Sequence, residues 1–302
     1  MVLGELRGHV QNLVIVKLGG RLGNQLFSWA AGYACARRNN SQLLFYDPRG
    51  WVTPHDSLPS LIGSSFRLAT PRQLIRMGHY SYPTPLAVTL RDVCYEFTEW
   101  RASRSSHPRL LGDGADSIFR PNPLVLRAQP PVMLYGSFQC EEYFANCADG
   151  VDSEIQLPDV PPLDVRRPVV SMTFRRGDYV SHGWNLPLSY YENALRHMTS
   201  EFDVGSVLLF CDDPEFLELA AKWLHGSTPV YRATQFATDP IEQLAVMAAC
   251  DHHILANSTF CWWGAWLGER RHKKESLVIA PKGWLGDDDG IVPDRWTMVP
   301  TR

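Results

Sequence analysis

The stretch "VVSMTFRRGDYV", residues 169–180, sets Arg175, Arg176 and Asp178 directly behind an apolar run. A guanidinium fork at the end of a strand can bind phosphate oxygens bidentately. The same residues could instead form an ion pair at a surface turn. A second stretch shifts the balance toward anion binding. In "ANSTFCWWGAW" (256–266), Asn257, Ser258 and Thr259 fall between a strand-like and a helix-like segment. Their hydroxyls and the first amides of the helix suit a phosphate group, and Ser258 can serve as the N-cap as well. Trp262, Trp263 and Trp266 read as core packing rather than a stacking surface.

These residues need elements to position them. From 169 onward the chain alternates: strand 169–174, helix 188–202, strand 206–211, helix 213–224, a short strand near 229–231, helix 239–250, strand 252–256, helix 259–269 and strand 276–281. Such alternation predicts a parallel sheet covered on both faces. Ligands in these sheets bind beyond the carboxyl ends of the strands. Arg175, Asp212, Asn257 and Lys282 each follow a predicted strand, so they converge on one edge. The front of the chain opens in the same way, with "NLVIVKL" (12–18), the turn "GGRLGN", a helix over 25–40 and a strand "SQLLFYD" (41–47). Residues 48–130 lack clear periodicity and read as short helices and loops. A strand "PVMLYGSFQ" (131–139) and a short helix "CEEYFANCADGV" follow. The segment 156–168 carries four prolines and reads as a linker, since proline disfavours helix and sheet interiors. The expected domains are therefore 1–165 and 166–302.

Net charge over the 302 residues is −3, so no global field favours nucleic acid or an anionic membrane, and an anionic ligand needs a local site. The seven cysteines have irregular spacing and no C-x-x-C, which argues for buried free thiols in a reducing compartment over zinc or a disulfide framework. No segment reaches the length of a membrane span. Gly19, Gly20 and Gly23 have the wrong spacing for a dinucleotide loop, which counts against a nicotinamide-dependent oxidoreductase, and no nucleotide-triphosphate loop or H-E-x-x-H is present. His252-His253 reads as structural. The run "DDD" (287–289) reads as a solvated turn rather than a metal-binding D-x-D.

Six stretches in order carry a family resemblance. "GGRLGNQLFSWAAGYACA" resembles "GG-x-GNQ-[ML]-F-x-YA" of the alpha-1,2-fucosyltransferases, glycosyltransferase family eleven. "GSFQCEEYF" (136–144) is similar to "G-[YF]-[WF]-Q-x-x-x-YF", and "TFRRGDYV" to "H-[VI]-RRGDYV". "LLFCDDPEF" (208–216) resembles "FSDD-x-x-[WF]", "ANSTFCWWGAWL" resembles "ANSTFSWWGAWL", and "APKGW" (280–284) resembles "P-x-x-W". The resemblance implies an α/β, GT-B-like fold: two Rossmann-like domains facing across a cleft, an acceptor-side N-terminal half and a GDP-fucose-binding C-terminal half. It implies an inverting, metal-independent transfer of fucose to the 2-hydroxyl of a terminal galactose, with GDP-fucose as donor substrate and no cofactor.

Carried over by position, Arg175 binds the β-phosphate with Arg176 and Asp178 beside it in the catalytic group. Ser258 and Thr259 hold the phosphates. Gly20, Gly23 and Asn24 approach from the N-terminal half, and Thr173, Asp212, Asn257 and Phe260 complete the donor site. A transferase without metal needs arginine and helix-dipole charge for the leaving diphosphate. At three points the chain departs from the pattern: Thr173 replaces the histidine before "x-RR", Trp29 replaces a tyrosine and Cys261 replaces a serine. Thr173 motivates an alternative, a catalytically weak nucleotide-sugar-binding relative. Asp178 is the first candidate for the base that takes the acceptor proton, and Glu141 and Glu142 come second. The partners implied are a nucleotide sugar and a galactose-terminated oligosaccharide, not nucleic acid. The expected location is the cytoplasm with at most peripheral membrane contact, or the Golgi lumen had an N-terminal anchor been removed.

Overall fold

The computed structural model describes residues 12–48, 58–77, 110–113, 118–160, 162–224, 228–271, 276–286 and 288–301. Its chain forms two compact units, Met1–Val151 and Asp152–Arg302. The division thus falls ahead of the proline-rich segment 156–168, where the sequence places it. Most of the stretch 48–130 lies outside the described residues.

In the first unit, β1 (Leu13–Lys17) leads into α1 (Leu22–Arg38) and β2 (Gln42–Tyr46). Then come α2 (Leu58–Ile62), α3 (Pro71–Arg76), β3 (Leu110–Gly112), α4 (Pro123–Leu126), β4 (Val132–Tyr135) and α5 (Ala148–Glu154). The four strands are all parallel in the order β2-β1-β4-β3. The expected single helix over 140–151 breaks into two 3-10 turns, Glu141–Tyr143 and Ala145–Cys147, before α5 starts. The β1 run is apolar because both of its faces are covered, as parallel strands require. Leu13 and Ile15 pack with Leu44, Leu74, Met77 and Met133. The helix α1 continues under the sheet with Leu26, Phe27, Trp29, Ala30 and Ala31 buried.

The second unit runs β5 (Val169–Phe174), α6 (Gly177–His182), α7 (Leu188–Glu201), β6 (Ser206–Cys211), α8 (Pro214–Trp223) and β7 (Val230–Arg232). It continues through α9 (Pro240–Ala248), β8 (His252–Ile254), α10 (Thr259–Arg271), β9 (Val278–Lys282) and β10 (Thr297–Pro300). Its six parallel strands lie in the order β10-β9-β8-β5-β6-β7. Counted within the unit this is the doubly wound 3-2-1-4-5-6 arrangement, whose strand order reverses between β5 and β8. The expected α/β class, with a parallel sheet in each half, is the one observed.

All six residues of β5 are buried, yet two of them are polar. Ser171 Oγ meets His253 Nδ1 at 2.7 Å, and Thr173 Oγ1 accepts from Ala256 N at 2.7 Å. Both bonds run from β5 toward β8 or the chain just after it. Buried polar groups without such partners would cost about 1–3 kcal/mol each. Leu277 N donates to His252 Nδ1 at 3.0 Å, so both histidines belong to the frame. The α10 helix is buried from Cys261 to Gly268. Trp262, Trp263 and Trp266 are fully enclosed, and the indole N–H of Trp262 donates to Ile291 O at 2.8 Å. They are core, and truncating one to alanine is a change of about 3–5 kcal/mol.

Candidate active site

The reversal of strand order in the second sheet opens at the carboxyl ends of β5 and β8. Arg175, the first residue after β5, directs Nη1 to Asp212 and Nη2 to Asp178. Its Cζ stands 5.1 Å over the Tyr179 ring. Asp212 follows β6, the neighbour of β5, and its other oxygen accepts from the Arg176 amide at 2.8 Å. Arg176 turns away, with Cζ 4.1 Å over the Phe216 ring and Nε 3.9 Å from Asp213. Asp213 also caps α8 by accepting from Phe216 N at 3.0 Å. The two aspartates of "CDDP" therefore divide their work, one on the arginine and one on the helix.

The ion-pair and anion-binding readings of this cluster are compatible. Two of the five N–H groups of Arg175 point at carboxylates, and the cluster brings Arg175, Arg176, Asp178 and Asp212 to near charge balance. A Cβ at Gly177 would lie 2.7 Å from Asp212 Oδ2, so a side chain there displaces that carboxylate. Asp178, the first candidate for the base, holds Arg175 through Oδ1 and is exposed at the surface of the cluster.

On the β8 side, the carbonyl of Ser258 accepts from Trp262 N at 3.1 Å, which places Ser258 at the mouth of α10. Ser258, Thr259 and Phe260 are half-buried, between the buried Ala256-Asn257 and the buried body of α10. The N–H groups and positive dipole end of a helix's first turn favour an anion. Asn257 binds the two loops together. Its Nδ2 donates to Trp184 O at 2.9 Å, and its backbone oxygen accepts from Tyr179 OH at 3.1 Å. Asn257 Oδ1 is buried and accepts no bond among the described residues. Burial raises the Tyr179 pKa, with Arg175 opposing, so the phenol remains the donor of that bond.

Thr173 is 4% exposed. Its hydroxyl holds the backbone of Ala256 rather than facing the open edge, so it positions the Asn257–Thr259 loop. Burial pushes the Cys261 thiol up to about 11, and it donates toward Ala256 O and Ser258 O at 3.3 and 3.1 Å. Lys282 closes β9 and is exposed. Asp289 accepts from Gly283 N at 2.6 Å and Trp284 N at 3.1 Å, which makes it a loop staple. Asp287 lies outside the described residues.

The first unit builds a separate constellation by the same logic. Its order reverses between β1 and β4, and the turns after those two strands are "GGRLGNQ" and "GSFQ". Gly20 has φ +69°, a left-handed conformation that glycine adopts without penalty. Gly23 and Asn24 lie in the first turn of α1. Gln139 Nε2 donates to Asn24 Oδ1 at 3.1 Å, and Ser28 Oγ bonds both Asn24 O and Gly136 O at 3.1 Å. Glu141 is half-buried and Glu142 exposed on the following turn.

Asp113, Tyr179 and Trp184 escaped the sequence reading. Asp113, after β3, accepts from Ser137 N at 2.5 Å and Phe138 N at 3.1 Å and so shapes the "GSFQ" turn. It is a lone aspartate in a stretch with no motif. Tyr179 and Trp184 acquire their roles only through contact with Asn257, and the adjacency of "DYV" to the arginine pair was the one available signal for Tyr179.

Residues 126–289 match glycosyl transferase family 11. Over 310 aligned residues the chain is 24% identical to an alpha-1,2-colitosyltransferase of Escherichia coli, covering 95% of this chain and 99% of that protein. It is 29% identical over 137 residues to the O-antigen biosynthesis glycosyltransferase WbnK of Escherichia coli, covering 42% and 43% respectively. Similar solved structures include fucosyltransferase NodZ from Bradyrhizobium, 13% identical with a TM-score of 0.45 over 84% of this chain and 92% of that one. POFUT1 in complex with GDP-fucose is 11% identical, with a TM-score of 0.47 over 89% and 98%. With the family match spanning more than half of its length, the chain belongs to glycosyl transferase family 11.

Proposed function

We propose that the chain transfers fucose from GDP-β-L-fucose to the 2-hydroxyl of a terminal galactose in an oligosaccharide, with inversion at the anomeric carbon and without a metal ion. The observation that carries this reading is the placement, after the neighbouring strands β5 and β8 at the reversal point of the second sheet, of the Arg175 cluster and the first turn of α10. Guanidinium and helix amides on either side of one crevice suit a diphosphate whose charge grows as the sugar leaves. In this reading the second unit binds the donor through Arg175, Asn257, Ser258, Thr259 and Phe260. Asp212 and Thr173 act behind them, one on Arg175 and the other on the Ala256 backbone. The first unit contributes Gly20, Gly23 and Asn24 and serves the acceptor.

A second reading is favoured by the similarity along 95% of the chain to a protein named alpha-1,2-colitosyltransferase: the donor sugar is colitose, carried on the same nucleotide. The alternative of a catalytically weak nucleotide-sugar-binding relative differs in predicting donor binding with little turnover.

The test is transfer from GDP-fucose and GDP-colitose to a panel of β-galactosides, with the product linkage read by NMR and a parallel reaction in EDTA. An α-1,2-linked fucoside formed at an undiminished rate in EDTA is expected. Turnover of GDP-colitose alone moves the assignment to the second reading. Donor binding without turnover on every acceptor sinks both.

A further inference from the structure

If Asp178 is tied to Arg175, the acceptor proton needs another destination, and one helical turn beyond Asp178 stands His182, the last residue of α6. Its Nδ1 lies 2.7 Å from Asp178 O. A carbonyl oxygen only accepts, so in the neutral ring Nδ1 carries the hydrogen and Nε2 keeps the lone pair. Ser181 Oγ donates to the same carbonyl at 2.8 Å and sits 3.3 Å from Nδ1. The imidazole is stacked on Trp184, with centroids 4.6 Å apart and planes at 26°. Trp184 meets Tyr179 edge-on at 5.6 Å, and its carbonyl is held by Asn257. The imidazole is thus fixed in tautomer and orientation, yet exposed. One residue, Asp178, connects it to Arg175: the carboxylate holds the arginine and the carbonyl holds the histidine.

We propose that His182 is the catalytic base, its Nε2 taking the proton from the acceptor hydroxyl while the acceptor pyranose lies on the indole of Trp184, which is 47% exposed. This rests on the reading of the chain as a sugar transferase. In the step, the acceptor O–H bond breaks and its proton passes to Nε2. The acceptor oxygen forms the bond to the donor sugar's C1. The bond from C1 to the diphosphate oxygen breaks, and its electron pair leaves with the nucleotide diphosphate. Among the described residues, the charged and titratable groups of the adjoining cluster are Asp178 and Asp212, both paired with Arg175, Arg176, which turns toward Phe216 and Asp213, and Tyr179, whose hydroxyl donates to Asn257 O. An apolar indole beside a proton acceptor matches a pyranose, which offers a C–H face and a hydroxyl edge.

The experiment compares wild type with His182→Gln and His182→Ala across about pH 5 to 9, the range in which a histidine titrates. Transfer should fall about a hundredfold or more, while the GDP dissociation constant measured by calorimetry stays within about twofold. The acid limb of the wild-type kcat/KM profile should vanish in both variants, and added imidazole should restore part of the activity of His182→Ala. Variants that keep the acid limb, or that lose GDP affinity in step with activity, overturn the assignment. So do variants within about threefold of wild type, given the size expected of a general base. Wild-type turnover with unaffected variants defeats the base assignment alone. A wild type that transfers no sugar from either GDP-fucose or GDP-colitose defeats the sugar-transfer reading and the assignment with it.

Discussion

Thr173 occupies the position where the family pattern has histidine, and its hydroxyl is bonded to the Ala256 amide at 2.7 Å in a site only 4% exposed. A residue that reads in the sequence as a departure from the donor site is a bracket for the loop that carries Asn257. Thr173→Val keeps the shape and removes the acceptor, leaving a buried amide unsatisfied, which costs about 1–3 kcal/mol. Urea unfolding should register that loss, and donor affinity should fall with it as the Asn257–Thr259 loop loosens. Unchanged stability would mean that the Ala256 amide has another partner. The division between Asp212 and Asp213 has the same character. Both are legible as a pair after a strand, but which one faces the arginine and which one caps α8 follows from the direction each side chain takes at the strand end.

Among the elements, β5 and β6 match their expected bounds, 169–174 and 206–211, because buried parallel strands are unbroken apolar runs bounded by polar residues. The misses have physical reasons. The α6 helix is a single short stretch just after the arginines, with no buried residue and hence no apolar stripe to betray it. The edge strand β10 carries an exposed Met298 and ends in proline, so it lacks the signature of a central strand. The helix expected over 140–151 gives way to two 3-10 turns, and within them Tyr143 is buried with its hydroxyl accepting from Asn122 N at 2.8 Å. One prediction belongs at this scale, where β5 hands over to α6. Gly177→Ala puts a methyl 2.7 Å from Asp212 Oδ2, so Asp212 must move and the Arg175 cluster with it. Transfer should drop about tenfold or more while circular dichroism and the melting temperature stay near wild type, since displacement of about 1 Å in a positioned site costs far more in rate than in stability. Full activity in this variant would show that Asp212 does not set the arginine's position.

At the scale of the whole molecule, each unit places its paired motifs where its own strand order reverses: after β1 and β4 in one, after β5 and β8 in the other. A ligand that binds only the folded chain stabilises it by about 2.7 kcal/mol at a hundred times its dissociation constant. GDP at that level should therefore raise the melting temperature by several degrees, NAD should leave it unchanged, and Arg175→Ala should abolish most of the GDP shift. An equal shift with NAD would point back to a dinucleotide site. The alternation of strand and helix, the class of the sheets and the identity of Arg175, Asn257, Ser258 and Thr259 as candidates are determined by sequence alone. Burial periodicity and strand-end chemistry are local properties, readable over a few residues. Tertiary structure alone decides that β5 and β8 are neighbours, that Thr173 is a bracket, that Asp178 is tied to Arg175 and that His182 presents its Nε2. Each of these depends on strand order and side-chain direction, and those emerge only when residues far apart in the chain, such as Thr173 and Ala256, 83 positions apart, are brought side by side.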